Sequence, residues 1–164
     1  MATPTSLPAS FTAGQVLTAS QMNNLRGAFR VLQVVQGTTG TLATNATSTY
    51  ADTGVTATIT PSATSSKILV MTSVQYQKSN GNAANGVNIK IVAGASDVTV
   101  QVLLGYTNSA TVNIGSCSMM NLHSPGTTSA ITYKVQFANN FNGGTVYTQS
   151  DGSTSSITLM EISA

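Results

Sequence analysis

The chain has 164 residues, of which 41% are hydrophobic and only 6% are charged, and its net charge is +2. This length fits a single domain, but the charged share is far below the roughly 25% of ordinary globular proteins. The scattered Lys and Arg residues disfavour a nucleic-acid binder, which would cluster them on one face. So little charge instead favours an assembly subunit, part of whose surface lies against other copies.

The first 14 residues predict an extended arm, because Pro4 and Pro8 stand among Thr, Ser and Ala and oppose both helix and central strand. The start lacks the basic region and apolar run of a signal peptide. No apolar run reaches the length of a membrane span. We therefore expect neither export by that route nor membrane insertion.

One short α-helix is predicted after the arm, ending near Arg30, because Thr18 and Gln21 form a capping-box pair and apolar residues follow at helical spacing. A lone helix of about three turns is marginal in water, so it must pack on the sandwich or on other copies. The apolar residues that we expect to serve attachment or oligomerisation are Phe11, Val16, Leu17, Met22, Leu25 and Phe29.

From residue 31 onward, short β-favouring runs are bounded by Gly, Asn, Ser and Pro, which predicts a sandwich or barrel of about nine strands. The fold class is therefore all-β, a jelly-roll-like antiparallel β-sandwich over residues 31–164, preceded by an attachment segment over residues 1–30. The predicted strands are Val31–Gln36, Thr41–Thr44, Val55–Thr60, Lys67–Tyr76, Val87–Ala93, Val98–Leu104, Thr111–Leu122, Ile131–Ala138, and Thr145–Gln149 with Ser156–Ile162 closing the chain.

Turns are predicted where Asp or Asn meets Gly, at residues 52–54, 80–82, 85–86, 142–144 and 151–152. In the last predicted strand, Ile157 and Leu159 face one way with Glu161, and we expect Glu161 at a sheet edge or a subunit contact. Met119 and Met120 are adjacent and face opposite ways. They are core residues or, alternatively, place one side chain at a seam between subunits.

The sequence offers little for catalysis. His123 follows Cys117 by six residues, which span about 20 Å along a strand, so the two cannot pair locally. Cys117 is predicted as a small core side chain. The four acidic residues are too few and too scattered for paired acid and base chemistry, which disfavours a polysaccharide-degrading enzyme. We expect no enzyme activity, no cofactor and no metal.

A family resemblance adds to this interpretation. The phrase Phe11-Thr12-Ala13-Gly14-Gln15-Val16-Leu17-Thr18-Ala19 resembles the F-T-A-G-x-V-L-T-A start of many bacteriophage minor structural and tail-associated proteins. The remainder, including Ile157-Thr158-Leu159-Met160-Glu161-Ile162, looks like a β module often labelled as a tail fibre or structural protein. The resemblance implies a virion protein, assembled in the host cytoplasm as a homo-oligomer, often a trimer.

The sequence leaves two functions open. A tail fibre or tail tip subunit would bind other virion proteins through its N-terminal segment and a host surface glycan or protein through its loops. A capsid decoration or head-fibre subunit would clamp the capsid lattice instead. The candidate receptor-facing residues are Asn80, Asn82, Asn85, Tyr106, Asn108, Asn140 and Asn142.

Overall fold

The computed structural model describes residues 14, 16, 18, 19, 30–79, 84–141 and 144–163. The predicted attachment segment, residues 1–30, lies outside these residues except at five positions, of which Ala19 is helical. Within the described ranges, no helix has the length and hydropathy needed to cross a membrane.

The described chain folds into ten strands, with one turn of 3-10 helix at Ser150–Gly152. Every predicted run corresponds to a strand, because β-branched and aromatic residues are concentrated in these runs. The strands are β1 (Val31–Thr39), β2 (Ala43–Asn45), β3 (Ala51–Ile59), β4 (Lys67–Lys78), β5 (Ala84–Ala93), β6 (Ser96–Asn108), β7 (Asn113–His123), β8 (Ile131–Asn139), β9 (Val146–Thr148) and β10 (Ser155–Ile162).

Two antiparallel sheets face each other, which confirms the predicted β-sandwich. In the first sheet β1, β10, β4 and β7 are neighbours, and β9 and β2 extend it beside the end of β4. The second sheet has the order β3-β8-β5-β6. Eight long strands are thus divided four and four, with connections that cross between the sheets, as in a jelly roll.

The core lies between the sheets and follows from strand alternation. Val55, Ala57 and Ile59 of β3 are buried, as are Ile68 and Val70 of β4, as their spacing predicts. The largest apolar contributions from the remaining strands are Ile89, Ile91, Tyr133, Val135, Phe137, Ile157 and Leu159, each 0% exposed.

Two predicted turns are wrong. Residues 52–54 lie inside β3, where the pairing with β8 shifts register between Asp52 and Thr56 and Gly54 has a φ of +83°. Asn85 and Gly86 lie inside β5, and both are buried. In each case the Gly accommodates a strand irregularity rather than a chain reversal, and sequence alone does not separate the two.

The prediction for Glu161 is also wrong. Its strand β10 is central in the first sheet, between β1 and β4, and the side chain is 0% exposed within the chain's own interior. The carboxylate accepts hydrogen bonds from Gln33 Nε2 at 2.6 Å, Ser62 N at 2.6 Å and Ser62 Oγ at 3.0 Å. These donors replace the water that burial removes, so the carboxylate can be buried in a central strand and does not have to lie at a sheet edge.

The sandwich has two distinct ends. At the entry end, Arg30 O accepts a hydrogen bond from Ser163 N at 3.0 Å, and Val31, Ile162 and Lys67 are neighbours across β1, β10 and β4. At the loop end, β4 finishes at Lys78. Because β4 has 12 residues, the two ends are separated by about 36 Å at the usual rise per residue.

Candidate functional site

Three loops meet at the loop end. Ser79 N donates to Thr145 O at 3.0 Å, which joins the loop after β4 to the loop before β9. Ala84 pairs with Asn108, so the start of β5 lies beside the end of β6. Asn140 N donates to Gly86 O at 3.0 Å, which brings in the loop after β8. The sequence predicted these three loops as candidate contact loops, and the structure brings their described parts together.

A buried lysine organises this end. Lys78 is 0% exposed, and its Nζ donates to Thr107 Oγ1 and, at 2.8 Å, to Ser109 O. Burying an ammonium group is costly unless hydrogen bonds satisfy it. The chain between β6 and β7 is therefore held over the end of β4 by a charged group.

Asn139 shapes the loop after β8 from within. It is 0% exposed, its Nδ2 donates to Gly144 O at 2.6 Å, and its Oδ1 accepts from Phe141 N at 3.3 Å. Its own backbone N donates to Thr47 O at 2.9 Å. Bonds from a side chain to nearby backbone of this kind fix a loop without any strand pairing.

An exposed aromatic pair stands on these loops. The rings of Tyr106 and Phe141 meet edge to face with centroids 6.0 Å apart, and they are 45% and 54% exposed. Asn108 beside them is exposed, and Asn140 is half-buried. An aromatic face can pack on the apolar face of a sugar ring or a side chain, while Asn amides both donate and accept hydrogen bonds.

An open depression of about 300 Å³ lies next to the loop end. Its wall includes Leu42, Val112 and Tyr147 together with Ser79 and Asp151. The mixture of apolar and hydroxyl groups suits a weakly polar ligand, but the depression is shallow. The depression therefore enlarges the surface that the loop end offers for contact and does not form a closed pocket.

His123, Tyr133 and Cys117 serve the packing of the sandwich. His123 Nδ1 and Tyr133 Oη are 2.8 Å apart, and their rings meet edge to face at 5.7 Å. Burial lowers the pKa of His123 and raises the pKa of Tyr133 to about 12, so a neutral phenol can donate to a neutral imidazole. Cys117 is 6% exposed, as predicted, and burial raises its pKa.

The described carboxylates occupy separate places. Asp52 binds Lys134 at 2.9 Å and Gln136 at 2.7 Å, and Asp97 binds Lys90 at 2.7 Å, all on the outer side of the second sheet. Glu161 is enclosed in the core, and Asp151 lies in the 3-10 turn. Over the described part of the chain, no three His, Cys, Asp or Glu side chains are close enough to hold a metal ion.

The predicted site residues are distributed as follows. Tyr106, Asn108 and Asn140 lie at the loop end, whereas Asn85 is 0% exposed within β5 and does not face a receptor. Val16 is 87% exposed. The predicted site residues that lie outside the described residues are Phe11, Leu17, Met22, Leu25, Phe29, Asn80, Asn82 and Asn142.

Sequence reasoning missed Phe141. The loop was expected to present amides and hydroxyls, yet among its described residues the aromatic side chain of Phe141 is 54% exposed. The available signal was an isolated Phe between Asn140 and Asn142, beside two glycines. A single exposed apolar residue is common on protein surfaces, so this signal gains weight only from the contact with Tyr106 that the fold creates.

No protein-family model and no curated protein matches the sequence. Among solved structures, the chain is similar to PRD1 vertex protein P5 at 17% identity and a TM-score of 0.47, over 80% of this chain and 98% of that one. A Stig cyclase, Fisc from Fischerella sp. TAU, is similar at 11% identity and 0.36, over 63% and 52% of the two chains. A structure of the infectious bursal disease virus Gx strain is similar at 12% identity and 0.43, over 82% and 33%. These similarities are remote, and the architecture rests on the strand pairing described above.

Proposed function

We propose that this chain is a non-enzymatic structural protein of a bacteriophage particle, a tail fibre or tail tip subunit that contacts the host surface through its loop end. The N-terminal segment attaches the subunit to other virion proteins. The resemblance of Phe11–Ala19 to the start of phage tail-associated proteins supports the phage context. The scarcity of charge supports a role in assembly rather than free solution.

The observation that carries the proposal is the placement of the two ends. The N-terminal segment joins the sandwich at Arg30, at the entry end. The exposed pair Tyr106 and Phe141 lies at the loop end, about 36 Å away along β4. A subunit held at the entry end therefore projects the aromatic pair outward.

The ligand class that suits the loop end is a host surface glycan or protein. Exposed aromatic rings beside Asn amides offer stacking and hydrogen bonding in one place. Lys78 and Asn139 fix the loops from inside, so little ordering entropy is lost on binding. The same rings would cost free energy if they remained permanently in water.

The test is competition for adsorption. Purified full-length chain should lower phage adsorption to host cells in a dose-dependent way, and the double variant Tyr106→Ala/Phe141→Ala should lose at least about 90% of that effect, as expected for aromatic hot spots worth 2 kcal/mol or more. Thr58→Ala, on the outer face of β3, is the matched control and should compete like the original protein. Equal competition by the double variant and the control would refute adhesion at this end.

The alternative is a capsid decoration or head-fibre subunit, for which the entry end would bind the capsid lattice. The outer face of the first sheet favours it, because Lys67 is the only charged residue at the outward positions of its four long strands, all of them described, and such a face can lie against a protein shell. Copy number separates the two: quantitative densitometry of purified virions should give tens of copies or fewer for a fibre and hundreds for a decoration protein.

We also propose that the chain assembles as a homotrimer, which the family resemblance implies. Light scattering of the purified protein should give three times the 16.7 kDa of one chain. A mass of one chain at all concentrations would contradict the trimer and leave the adhesion test unaffected.

A further inference from the structure

The depression beside the loop end is built on the outer face of the first sheet. Tyr147 of β9 pairs with Gln77 of β4 on one side and with Thr44 of β2 on the other. Paired residues of an antiparallel sheet point to the same side. Val146 and Thr148, which flank Tyr147, are buried in the interior. Tyr147 and Gln77 therefore point outward, and both line the depression from the sheet.

The 3-10 turn forms a wall over this face. Gln75 lies two positions before Gln77 and shares its side of β4. Gln75 Oε1 accepts from Ser150 N at 2.9 Å, and Gln75 Nε2 donates to Ser150 Oγ at 2.8 Å. Ser150 O accepts from Ser153 N at 3.0 Å and from Ser153 Oγ at 2.7 Å. These bonds hold Ser150 and Asp151 against the depression before any ligand binds.

The backbone of this wall is strained. Gln149 and Asp151 have φ values of +56° and +55°, and they are two of the three non-glycine residues with positive φ that the structure describes. The left-handed conformation costs free energy in residues with a side chain. Such strain persists only where the surroundings fix the backbone, and it is concentrated at binding sites.

Three polar side chains in the depression have no partner. Among the residues that the structure describes, none forms a hydrogen bond with the Asp151 carboxylate, the Gln77 amide or the Tyr147 hydroxyl. The other acidic side chains of the chain all have partners, and these are Asp52, Asp97 and Glu161. Unused hydrogen-bonding groups thus converge on one place, where a ligand can bind them.

The charge around the depression disfavours an anionic ligand. Lys78 follows Gln77 on β4 but points into the interior, where it is 0% exposed and binds Thr107 and Ser109. The other described cations lie at the entry end or on the outer side of the second sheet, and these are Arg30, Lys67, Lys90 and Lys134. An anion would therefore meet the Asp151 carboxylate without a nearby counter-charge.

We infer that this depression binds one neutral sugar ring of a host surface glycan. The inference deepens the proposed adhesion and rests on it, because it names the ligand class and adds a second contact to the exposed aromatic pair. A volume of about 300 Å³ is at the lower end for small-ligand sites. It suits a single ring better than a long ligand.

The lining matches both parts of a sugar ring. Leu42 and Val112, which are 54% and 50% exposed, and the Tyr147 ring offer apolar contact to the face of the ring that carries C–H groups. Asp151 accepts hydrogen bonds from hydroxyl groups, and Gln77 both donates and accepts. Hydrogen-bonding groups that stand on both the floor and the wall suit hydroxyls around a ring better than the single charge of a lysine side chain.

The experiment titrates the full-length chain with the methyl α-glycosides of glucose, galactose and mannose, using saturation-transfer and chemical-shift NMR. At least one glycoside should bind with a Kd below about 10 mM. Asp151→Asn should raise that Kd at least about 10-fold, because it removes the charge-assisted hydrogen bonds. Asn tolerates the left-handed backbone, so the circular dichroism spectrum should be unchanged. Asp52→Asn, the same change on the second sheet, is the matched control and should keep the Kd within about 2-fold.

A second readout follows the charge itself. The methyl glycoside of the corresponding uronic acid is the anionic counterpart of the hexoside that binds. It should bind the original protein at least about 10-fold more weakly than the neutral hexoside, because the Asp151 carboxylate repels it. In Asp151→Asn the two Kd values should come within about 3-fold of each other. A purely structural role of Asp151 would leave their ratio unchanged.

Other outcomes count against the inference. It would be overturned if no neutral hexoside bound, if Asp151→Asn bound the hexosides as the original protein does, or if the depression took Nα-acetyl-lysine methylamide and no hexoside. Absence of hexoside binding with competition for adsorption retained would leave adhesion through the aromatic pair. Hexoside binding that depends on Asp151, with no competition for adsorption, would count against adhesion only.

Discussion

Glu161 and Lys78 are charged residues enclosed within the sandwich, at opposite ends of it. Glu161 accepts hydrogen bonds from the Gln33 amide and from the backbone and hydroxyl of Ser62, and Lys78 donates to the Thr107 hydroxyl and the Ser109 carbonyl. A buried ion satisfied by neutral hydrogen-bonding groups fixes the position of every group that it binds. Both residues therefore order loops: Glu161 orders the segment at Ser62, and Lys78 orders the segment at Ser109.

The first prediction concerns Glu161. Burial raises its pKa, but the hydrogen bonds from Gln33, Ser66 and Ser62 outweigh burial and hold the pKa below its usual range. Glu161→Gln should cost about 1–3 kcal/mol of unfolding free energy at pH 7, because the amide turns a donor towards other donors. Urea unfolding of both proteins measures this difference.

The pH dependence of that difference has a definite sign. A carboxyl group with a lowered pKa in the folded state stabilises the fold fully above its unfolded pKa of about 4.3, and this contribution is lost as the pH falls through the folded value. The difference in unfolding free energy between Glu161→Gln and the original protein should therefore become smaller from pH 7 to pH 3. Asp52→Asn, at an exposed carboxylate, is the control and should cost no more than about 1 kcal/mol. A difference in unfolding free energy that grew at low pH would contradict a lowered pKa for Glu161.

The second prediction concerns Cys117. Burial raises the pKa of its thiol, and the thiolate is the reactive form. A thiol reagent should modify the folded protein at least about 100-fold more slowly than the urea-unfolded chain, because local opening of the core must come first. Unfolding should release one thiol per chain. Rapid, stoichiometric modification of the folded protein would show that β7 is open at this position.

At the scale of the elements, the close approach of β1 and β3 depends on a glycine. A side chain at Gly37 would overlap the carbonyl oxygen of Thr56 in the facing sheet. Gly37→Ala should therefore lower the unfolding free energy by about 2 kcal/mol or more, since overpacking of a fixed backbone costs 1–3 kcal/mol. Gly40→Ala is the matched control: its new methyl carbon would lie 3.6 Å from Ser153 O, and the change should stay within about 0.5 kcal/mol. Equal effects of the two changes would contradict the close contact.

The sequence predicted the strands well because local signals agree with the fold. Alternation in Val55, Ala57 and Ile59 identifies a half-buried strand whatever its neighbours are. The turns at Asn85-Gly86 and Asp52 to Gly54 were wrong because a glycine that allows a bulge has the same local sequence as one that allows a reversal. Pairing partners are non-local, so the sequence did not reveal that β10 is central or that Glu161 is buried.

The candidate site could be predicted only in part. Two of the three loops were recognised from their Asn and Gly turn residues and the third as the stretch between two predicted strands, but their convergence depends on strand order, which turn chemistry does not specify. Asn85 was misplaced because burial of an amide within β5 leaves no mark in the local pattern. The sequence placed Met119 and Met120 on opposite faces of a strand, but which residues of the neighbouring strands share the face of Met120 depends on strand register, which is non-local.

For the whole molecule, the scarcity of charge leads to a prediction about salt. Because only 6% of the residues are charged, few ion pairs can contribute to a contact between copies of the proposed homotrimer, and screening has little to weaken. Raising NaCl from 0.05 to 1 M should leave the dissociation constant of the oligomer unchanged within about 3-fold or make it slightly smaller, since exclusion of salt favours apolar burial. Analytical ultracentrifugation measures it. Dissociation that becomes 10-fold easier in high salt would indicate an ionic contact instead.

The central position of β10 also governs how the molecule is made. β10 comes last of the ten strands, yet β1 and β4 both need it as a neighbour, and Arg30 meets Ser163 across 133 positions of the chain. While the ribosome is still translating, the edges of β1 and β4 therefore remain unpaired and open to wrong partners. Contacts this distant in the chain make folding slow. The two edges can therefore be closed by β10 only after residues 155–162 have emerged.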